Sequence, residues 1–398
     1  MTRSRTLPGP RPGRALHVMM LGLRGCPEIQ GGVERHVEAL APRLANLGCR
    51  VEVIARRPYV PHAAPKAWQG VVVTPLSAPR LRSLEAILHT CLGILHAARR
   101  RPDVLHIHAI GPALLAPVAR LLGLRVVVTH HGFDYDRAKW GRFARAVLRA
   151  GEWAGMRFAH RRIAVSQDIA ASVRTRFGVP VTPVPNGVAA PDVEAGTAAP
   201  ARFGLEPGRY VLTIGRLVPE KRQRDLVEAF ARVAPQGWRL ALVGGADHAN
   251  AHSRSVLAAA AAVPDVVATG FLTGMDLREI TAHAGLFVLP SSHEGLPIAL
   301  LEALSYGLPA LASDIPANRE VGLPENCYFP VGDVDALAAA LARSCTQPTD
   351  VAGQAALRTR IARDYDWDAI AGRTLALYDG ETEALREACT AAVPHSQH

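Results

Sequence analysis

The stretch Phe287-Val288-Leu289-Pro290-Ser291-Ser292-His293-Glu294-Gly295-Leu296-Pro297-Ile298-Ala299-Leu300-Leu301-Glu302 decides the reading of the fold. Phe287 to Leu289 read as a short buried strand, and the Ser-Ser-His-Glu-Gly run as a polar loop. Pro297 reads as the first residue of a helix, where its missing N–H costs nothing. A strand, a polar loop and a helix in that order are the repeating unit of an α/β domain. The loop therefore ends at exposed N–H groups on the positive end of a helix dipole, a setting that favours phosphate. Glu294 lies before the helix, and Glu302 lies five residues along it from Pro297, about 7.5 Å at 1.5 Å per residue. One acid can hold sugar hydroxyls and the other a ribose. In a chain with 35 acidic residues two glutamates at this spacing are common by chance, so the surroundings have to carry the argument.

Upstream, Tyr210-Val211-Leu212-Thr213-Ile214 reads as a strand, followed by Gly215-Arg216-Leu217-Val218-Pro219-Glu220-Lys221 and a helix with apolar residues at Leu226, Ala229 and Phe230. Gly215 allows a tight turn. Arg216 and Lys221 put two cations at the carboxyl end of a strand, where α/β sheets bind ligands. With this Gly-Arg…Glu-Lys loop and the Glu-x7-Glu element in this order, the chain resembles the GT-B glycosyltransferases, specifically the large retaining family 4, from about residue 17 to 378. The resemblance implies two facing Rossmann-like doubly wound α/β domains with a cleft between them. It also implies a nucleoside-diphosphate sugar as co-substrate, with no resident cofactor. Arg216 and Lys221 are then expected to stabilise the leaving diphosphate, Glu294 to orient the donor sugar and Glu302 to hold the ribose. The backbone from Gly295 through Leu296 and Pro297 to Ile298 completes the anion cradle, and the Gly270-Phe271-Leu272 loop contacts the base.

Length and composition agree with that architecture. A chain of 398 residues with 49% hydrophobic and 20% charged residues is an ordinary globular protein long enough for two cores. Its cysteines, at 26, 49, 91, 327, 345 and 389, show neither a Cys-x-x-Cys pair nor metal-ligand spacing, which fits a reducing cytoplasm. The apolar run from Ala109 to Val128 is interrupted by Pro112, Pro117, Arg120 and Arg125, so no membrane-spanning helix is expected. Residues 1–14 read as a disordered basic tail. Residues 191–204, opening on Pro191-Asp192 and rich in small and turn-forming residues, read as a linker between an N-terminal acceptor-binding domain (15–190) and a C-terminal nucleotide-sugar domain (205–365). Residues 366–398 read as a helical segment returning toward the N-terminal domain. Charge divides across the linker: residues 1–190 carry 28 Lys+Arg against 10 Asp+Glu, and residues 191–398 carry 17 against 25.

A dinucleotide oxidoreductase is the rival for such a fold, but Gly22, Gly25, Gly31 and Gly32 do not form G-x-G-x-x-G, and their loop is too long for that turn. Gly31-Gly32 opening a helix can instead place bare N–H groups against a diphosphate or acceptor. This loop is similar to the Gly-Gly-x-Glu loop of family 4, and its start resembles enzymes of rhamnosyltransferase-like type. His130 and His131 end a strand, so one faces the cleft and the other the scaffold. His131, next to Gly132, matches the histidine that family members aim at the donor sugar. His106 and His108 read as structural. Two histidines on neighbouring strands without a carboxylate are a poor zinc signature. The Asp-x-Asp strings at Asp134/Asp136, Asp333/Asp335, Asp364/Asp366 and Asp366/Asp368 read as incidental, since Arg216, Lys221 and helix N-termini can neutralise a diphosphate. No metal is expected.

From Arg137 to Arg162 the chain carries eight cations, among them Lys139, Arg142, Arg145 and Arg149, against Glu152 alone, interleaved with Trp140, Phe143, Val147, Leu148, Trp153 and Phe158. This reads either as a basic amphipathic helix that lies on an anionic membrane or as a solvated cationic face over a buried stripe. No nucleic-acid-binding motif accompanies the charge. The expected activity is transfer of a sugar with retention to a lipid-linked or glycan acceptor in surface-polysaccharide, exopolysaccharide or lipopolysaccharide assembly, at the inner face of the cell membrane. A UDP-sugar 2-epimerase of the same architecture and a non-catalytic sugar-nucleotide-binding subunit are the alternatives.

Overall fold

The structure, a computed structural model, describes residues 14–60, 67–78, 85–137, 140–191, 195–246, 249–346 and 351–379. Apolar runs, many rich in β-branched residues, form the strands β1 (His17–Leu21), β2 (Arg50–Arg56), β3 (Ala67–Trp68), β4 (Val71–Leu76), β5 (Val104–His108), β6 (Val126–His130), β7 (Arg161–Ala164), β8 (Thr182–Pro183), β9 (Tyr210–Ile214), β10 (Arg239–Val243), β11 (Val266–Gly270), β12 (Leu286–Leu289), β13 (Ala310–Ser313) and β14 (Tyr328–Phe329). Among the described residues they make two sheets, one ordered β3-β4-β2-β1-β5-β6-β7-β8 and the other β11-β10-β9-β12-β13-β14. All pairings are parallel except the two-residue edge strand β3, which runs antiparallel to β4. Strands buried on both faces explain why they read as unbroken apolar runs rather than alternating ones.

The second sheet has the doubly wound order in which the direction of strand addition reverses between β9 and β12; in the first it reverses between β1 and β5. Ligands of such sheets bind at that reversal, beyond the carboxyl ends of the strands. The fold is GT-B.

The two sheets are joined on both sides. Ser166 caps the Gln167–Phe177 helix, and Glu320, from the second sheet's side, accepts from Gln167 N (2.7 and 2.9 Å) and Asp168 N (3.3 Å). That places a carboxylate on a positive helix end. The Trp367–Asp379 helix lies against the Gly32–Asn46 helix of the first domain, and Trp367, Ile370, Leu377 and Tyr378 join that domain's core. Val188 N donates to Tyr365 O (2.8 Å), and a Cβ on Gly187 would lie 2.7 Å from the Trp367 ring, so the crossing chain needs glycine there.

One sequence reading is corrected here. Residues 195–204 are not an open linker: they carry the Ala198–Arg202 helix, and Glu279 accepts from Ala199 N at 2.7 Å. The alanines that read as linker composition are good helix formers once a carboxylate satisfies the first turn. The tail residues 1–13, linker residues 192–194 and residues 380–398 lie outside the described residues.

His89, on the Glu85–Arg100 helix, is buried, with Nε2 bonded to Ala55 O at 3.1 Å. Burial pulls its pKa down to about 4 from an ordinary 6.5. Between those values the unfolded chain holds a proton that the folded one refuses, so this stability is present above pH 6.5 and is lost as pH falls toward 4. Urea unfolding at pH 7 and 5.5 should show the loss reduced by about 1 kcal/mol in His89→Gln; an unchanged loss would mean that His89 is protonated in the fold.

Candidate functional site

The loops after β9 and β12 meet through one ion pair: Lys221 Nζ lies 2.5 Å from Glu294 Oε1. Lys221 comes from a 3-10 turn, Pro219–Lys221, and its aliphatic stem crosses Gly215, where an added Cβ would lie 3.4 Å from Lys221 Cδ. Burial alone would raise the Glu294 carboxyl, but the Lys221 ammonium, with Arg137 behind it, overrides burial and holds the pKa below the usual carboxylate value. Glu294 is therefore a fixed anion at neutral pH. An ammonium has three N–H donors, so Lys221 can hold Glu294 and a phosphate oxygen together. Arg216 directly follows Gly215 and is half-buried; its carbonyl accepts from Gln223 Nε2 at 2.8 Å. A Cβ on Gly244 would lie 2.0 Å from Gly215 O, so β10 ends tight against the phosphate loop.

The helix after the β12 loop begins at Ile298, with Pro297 as its N-cap. This corrects the expected start by one residue, because Pro297 has ψ 87 and lies outside the helical region. Its first backbone bond runs from Leu301 N to Pro297 O (3.1 Å). The N–H groups of Ile298, Ala299 and Leu300 therefore precede the ladder; Pro297 supplies none. Glu302, one turn on, is paired with Arg35 Nη2 of the first domain at 2.9 Å, and that carboxylate lifts the Arg35 pKa. Leu296 is buried, Phe271 is 47% exposed beyond β11 and Leu272 is half-buried. The structure sets Phe271 beside Gly245.

Across the cleft the first domain presents its own chain reversal. Gly31 caps the helix that opens at Gly32, at φ 152. A Cβ there would strike Glu34 Oε2 at 2.0 Å. Arg24 clamps the same loop, its backbone N and Nε each 3.1 Å from Glu34 Oε1. His130 turns to the scaffold, where Nε2 lies 3.1 Å from Glu152 Oε1. His131 is half-buried and lies with its Nε2 3.1 Å from His108 Nδ1. The domains touch at glycines: a Cβ on Gly295 would lie 1.9 Å from His131 O and 3.3 Å from Gly132 Cα. The His131 carbonyl and the loop that carries Glu294, itself paired with Lys221, thus meet across the domains.

The expected basic helix is corrected at both ends. It spans Arg142–Phe158 only; Arg161 and Arg162 lie in β7, and Lys139 lies outside the described residues. Arg137 turns into the cleft, 2.8 Å from Asp134 Oδ1 and 3.7 Å from Glu220 Oε1. Both Glu220 oxygens and Arg137 Nε are buried without a hydrogen-bond partner. On the helix, Arg142 and Arg149 are exposed, Arg145 is half-buried, and Phe143 and Trp153 are 84% and 52% exposed; Trp140, just before it, is half-buried. Sequence reasoning missed Arg35, His36 and Asn186, and gave no site role to Arg137 and Glu220, which it read within the basic run and the Gly-Arg…Glu-Lys loop; a pairing such as Arg35–Glu302, 267 residues apart, leaves no local signal. Of the Asp-x-Asp strings, Asp333 and Asp366 cap helices, Asp333 Oδ1 accepting from Ala336 N (2.8 Å) and Asp366 Oδ2 from Ala369 N (2.7 Å).

Sequence models of two families match: "Glycosyltransferase Family 4" over residues 30–190 and "Glycosyl transferases group 1" over residues 208–347. The chain belongs to the family 4, group 1 type glycosyltransferases. It is similar to a glycogen synthase of Mycobacterium tuberculosis, 26% identical over 91% of this chain and 94% of that one. A UDP-Gal:alpha-D-GlcNAc-diphosphoundecaprenol alpha-1,3-galactosyltransferase of Escherichia coli is 27% identical over 62% and 67%. Among solved structures, sucrose-phosphate synthase from Thermosynechococcus elongatus superposes with a TM-score of 0.78 at 23% identity, covering 93% of this chain and all of that one. This glycosyltransferase has no helix, among the described residues, long and apolar enough to cross a membrane.

Gly295→Ala should push the domains apart at His131 O, where its Cβ would lie 1.9 Å away, and destabilise the protein by about 1–3 kcal/mol, as overpacking does, with each domain still folded. A misplacement of about 1 Å costs roughly 100-fold in turnover; near-normal transfer by a well-folded variant would show that the glycine contact does not set the site.

Proposed function

We propose that this glycosyltransferase takes its sugar from a nucleoside diphosphate and passes it, with retention, to a lipid-linked glycan acceptor of surface-polysaccharide assembly. The observation that carries the donor reading is the Lys221–Glu294 pair (2.5 Å) set between a helix start and the glycine contact. Lys221 and Arg216 stabilise charge growing on the leaving diphosphate, the first-turn N–H groups after Pro297 complete the cradle, Glu294 accepts from sugar hydroxyls and Glu302 from the ribose. A carboxylate can accept from Arg35 and a ribose diol together. Buried Glu220 and half-buried Arg137, whose buried oxygens and Nε have no hydrogen-bond partner, suit a polar ligand better than an apolar one. Phe271 and Leu272 flank the base.

Retention by double displacement needs a carboxylate free to act as nucleophile and an acid partner. Glu294 is held ionised by Lys221, which disqualifies it as a proton donor. The reading favoured here has the leaving phosphate take the acceptor's proton on the same face, with His131 assisting the sugar and no metal required. The two alternatives, an epimerase and a non-catalytic binder, differ in outcome: donor alone would be isomerised by the first and left untouched by the second.

For the acceptor, support comes from the Arg142–Phe158 helix. Its exposed Arg142, Arg149 and Arg157 stand with solvent-facing Phe143 and Trp153, and the neighbouring helix exposes Leu121 by 87%. Cations beside exposed apolar side chains suit an anionic bilayer at the inner face of the membrane.

Lys221→Ala should cost about 2–4 kcal/mol of transition-state stabilisation while the fold persists. In calorimetry with UDP and UDP-sugars, Glu302→Ala should weaken the diphosphate and the donor alike, and Glu294→Ala only the donor. Full activity without Lys221, or equal losses in both glutamate variants, would sink the donor assignment.

Sedimentation with phosphatidylglycerol vesicles should be strong at low salt and weak once the Debye length falls to about 3 Å near 1 M. Replacing Arg142, Arg145 and Arg149 by glutamine should weaken it and slow transfer to a lipid-linked acceptor, with donor hydrolysis unchanged. Binding indifferent to salt and to these changes would assign the charge to another partner.

A further inference from the structure

Behind the donor site lies a cluster that the transfer reaction leaves unexplained. His36 comes from the Gly32–Asn46 helix, His108 ends β5 and His131 follows β6. One ring nitrogen from each lies within 4.8 Å of the other two. His36 and His108 are buried, and His131 is half-buried. The rings of His36 and His131 meet edge to face at 4.8 Å. His106, which stacks on His108 at 4.0 Å, stands outside the set because both its nitrogens are taken, Nδ1 by Tyr378 OH and Nε2 by Thr129 Oγ1, each at 2.6 Å.

Two details separate this cluster from chance packing. His36 Nδ1 lies 2.8 Å from Asn186 Oδ1, and Asn186 in turn donates to Leu296 O at 3.4 Å. With its Nδ1–H given to the amide oxygen, His36 keeps its Nε2 lone pair for a ligand, the outer-shell bond that orients metal-bound imidazoles. His108 Nε2, buried with no hydrogen-bond partner, is free to carry the ring proton when Nδ1, the nitrogen 3.1 Å from His131 Nε2, offers its lone pair.

We propose that His36, His108 and His131 form a three-imidazole site for a single late transition-metal ion, zinc, cobalt or nickel, whose occupancy withdraws His131 from the donor sugar and inhibits transfer. Tetrahedral coordination at about 2.0–2.1 Å sets ligand nitrogens roughly 3.3 Å apart. The His108–His131 pair is already at 3.1 Å, so ring rotations of the third partner complete the triangle. Burial holds all three rings neutral near pH 7, so no proton competes for the lone pairs. The proton shared by His108 and His131 moves to the far nitrogen of its own ring, and the set stays neutral. Three imidazoles and no carboxylate select zinc, cobalt or nickel over magnesium or calcium. The inhibitory half of the proposal rests on the sugar-facing role of His131 given above; the binding half does not.

The test uses untagged full-length protein stripped with chelator. Bound zinc measured after dialysis should be one equivalent higher in the wild type than in His36→Gln or His108→Gln, and cobalt should give a tetrahedral visible spectrum that both variants lose. His36→Cys, which keeps a ligand at the same place, should bind and add a thiolate-to-cobalt charge-transfer band, which guards against variants that merely misfold. Zinc should slow donor hydrolysis by at least about tenfold in the wild type, magnesium should not, and His36→Gln should be insensitive relative to its own metal-free rate. Equal metal content in wild type and variants, with no cobalt spectrum, would overturn the site. Binding without inhibition would uphold the site and overturn the placement of His131 at the sugar.

Discussion

The contact on which the site depends is the backbone approach of His131-Gly132 to Gly295, where a Cβ on Gly295 would lie 1.9 Å from His131 O, while one on Gly132 would meet Gly295 Cα at an ordinary 3.4 Å. It brings the carboxyl ends of β6 and β12 together, so the two chain reversals of the two doubly wound sheets face each other. Everything proposed for the site follows from that distance. Lys221 and Glu294 come from one side and His131 from the other, and a ligand held between them touches both. Away from the cleft, the Glu320 cap on the Gln167–Phe177 helix and the Trp367 ring over Gly187 hold the same relative placement. Side-chain contacts alone would leave several ångströms of play; a glycine–glycine approach leaves almost none.

Strands buried on both faces are legible in sequence because burial forces continuous apolar runs, and Tyr210–Ile214 and Leu286–Leu289 stand where those runs predict. The loop Gly215–Lys221 stands out in sequence for a related reason, since a glycine followed by cations at a strand end suits anion binding. What composition cannot supply is direction. Arg137 belongs to a basic run, yet its side chain points into the cleft toward Asp134 and Glu220, because the chain turns through Asp134–Asp136 before the helix begins. His36 sits in an amphipathic helix where a histidine on the inner face reads as core; only the register of three separate elements gathers it with His108 and His131. The linker misreading has the same origin. Alanine and glycine describe a segment's freedom, and Glu279, 80 residues away, removes that freedom.

The charge asymmetry of the chain takes on a definite meaning once these pairings are known. In the cleft, Arg24 faces Glu34, Arg35 faces Glu302, Arg137 faces Asp134 and Glu220, and Lys221 faces Glu294. These four cations are thus each matched by carboxylates, and a dianionic donor shares them with those carboxylates rather than meeting a bare positive surface. Sharing favours selectivity over affinity, because only a ligand that also donates hydrogen bonds to the acids recovers their desolvation cost. A sugar diphosphate does so through its hydroxyls; inorganic phosphate does not. The excess of cations in residues 1–190 therefore lies mostly outside the cleft, and the Arg142–Phe158 helix, with one buried acid already committed to Arg176 and His130, carries an uncompensated share of it. Charge is thus paired inside the cleft and in excess on that helix: pairs at short, partly buried distances are weakly screened by salt, whereas an exposed excess acts through a field that physiological salt screens within about 8 Å.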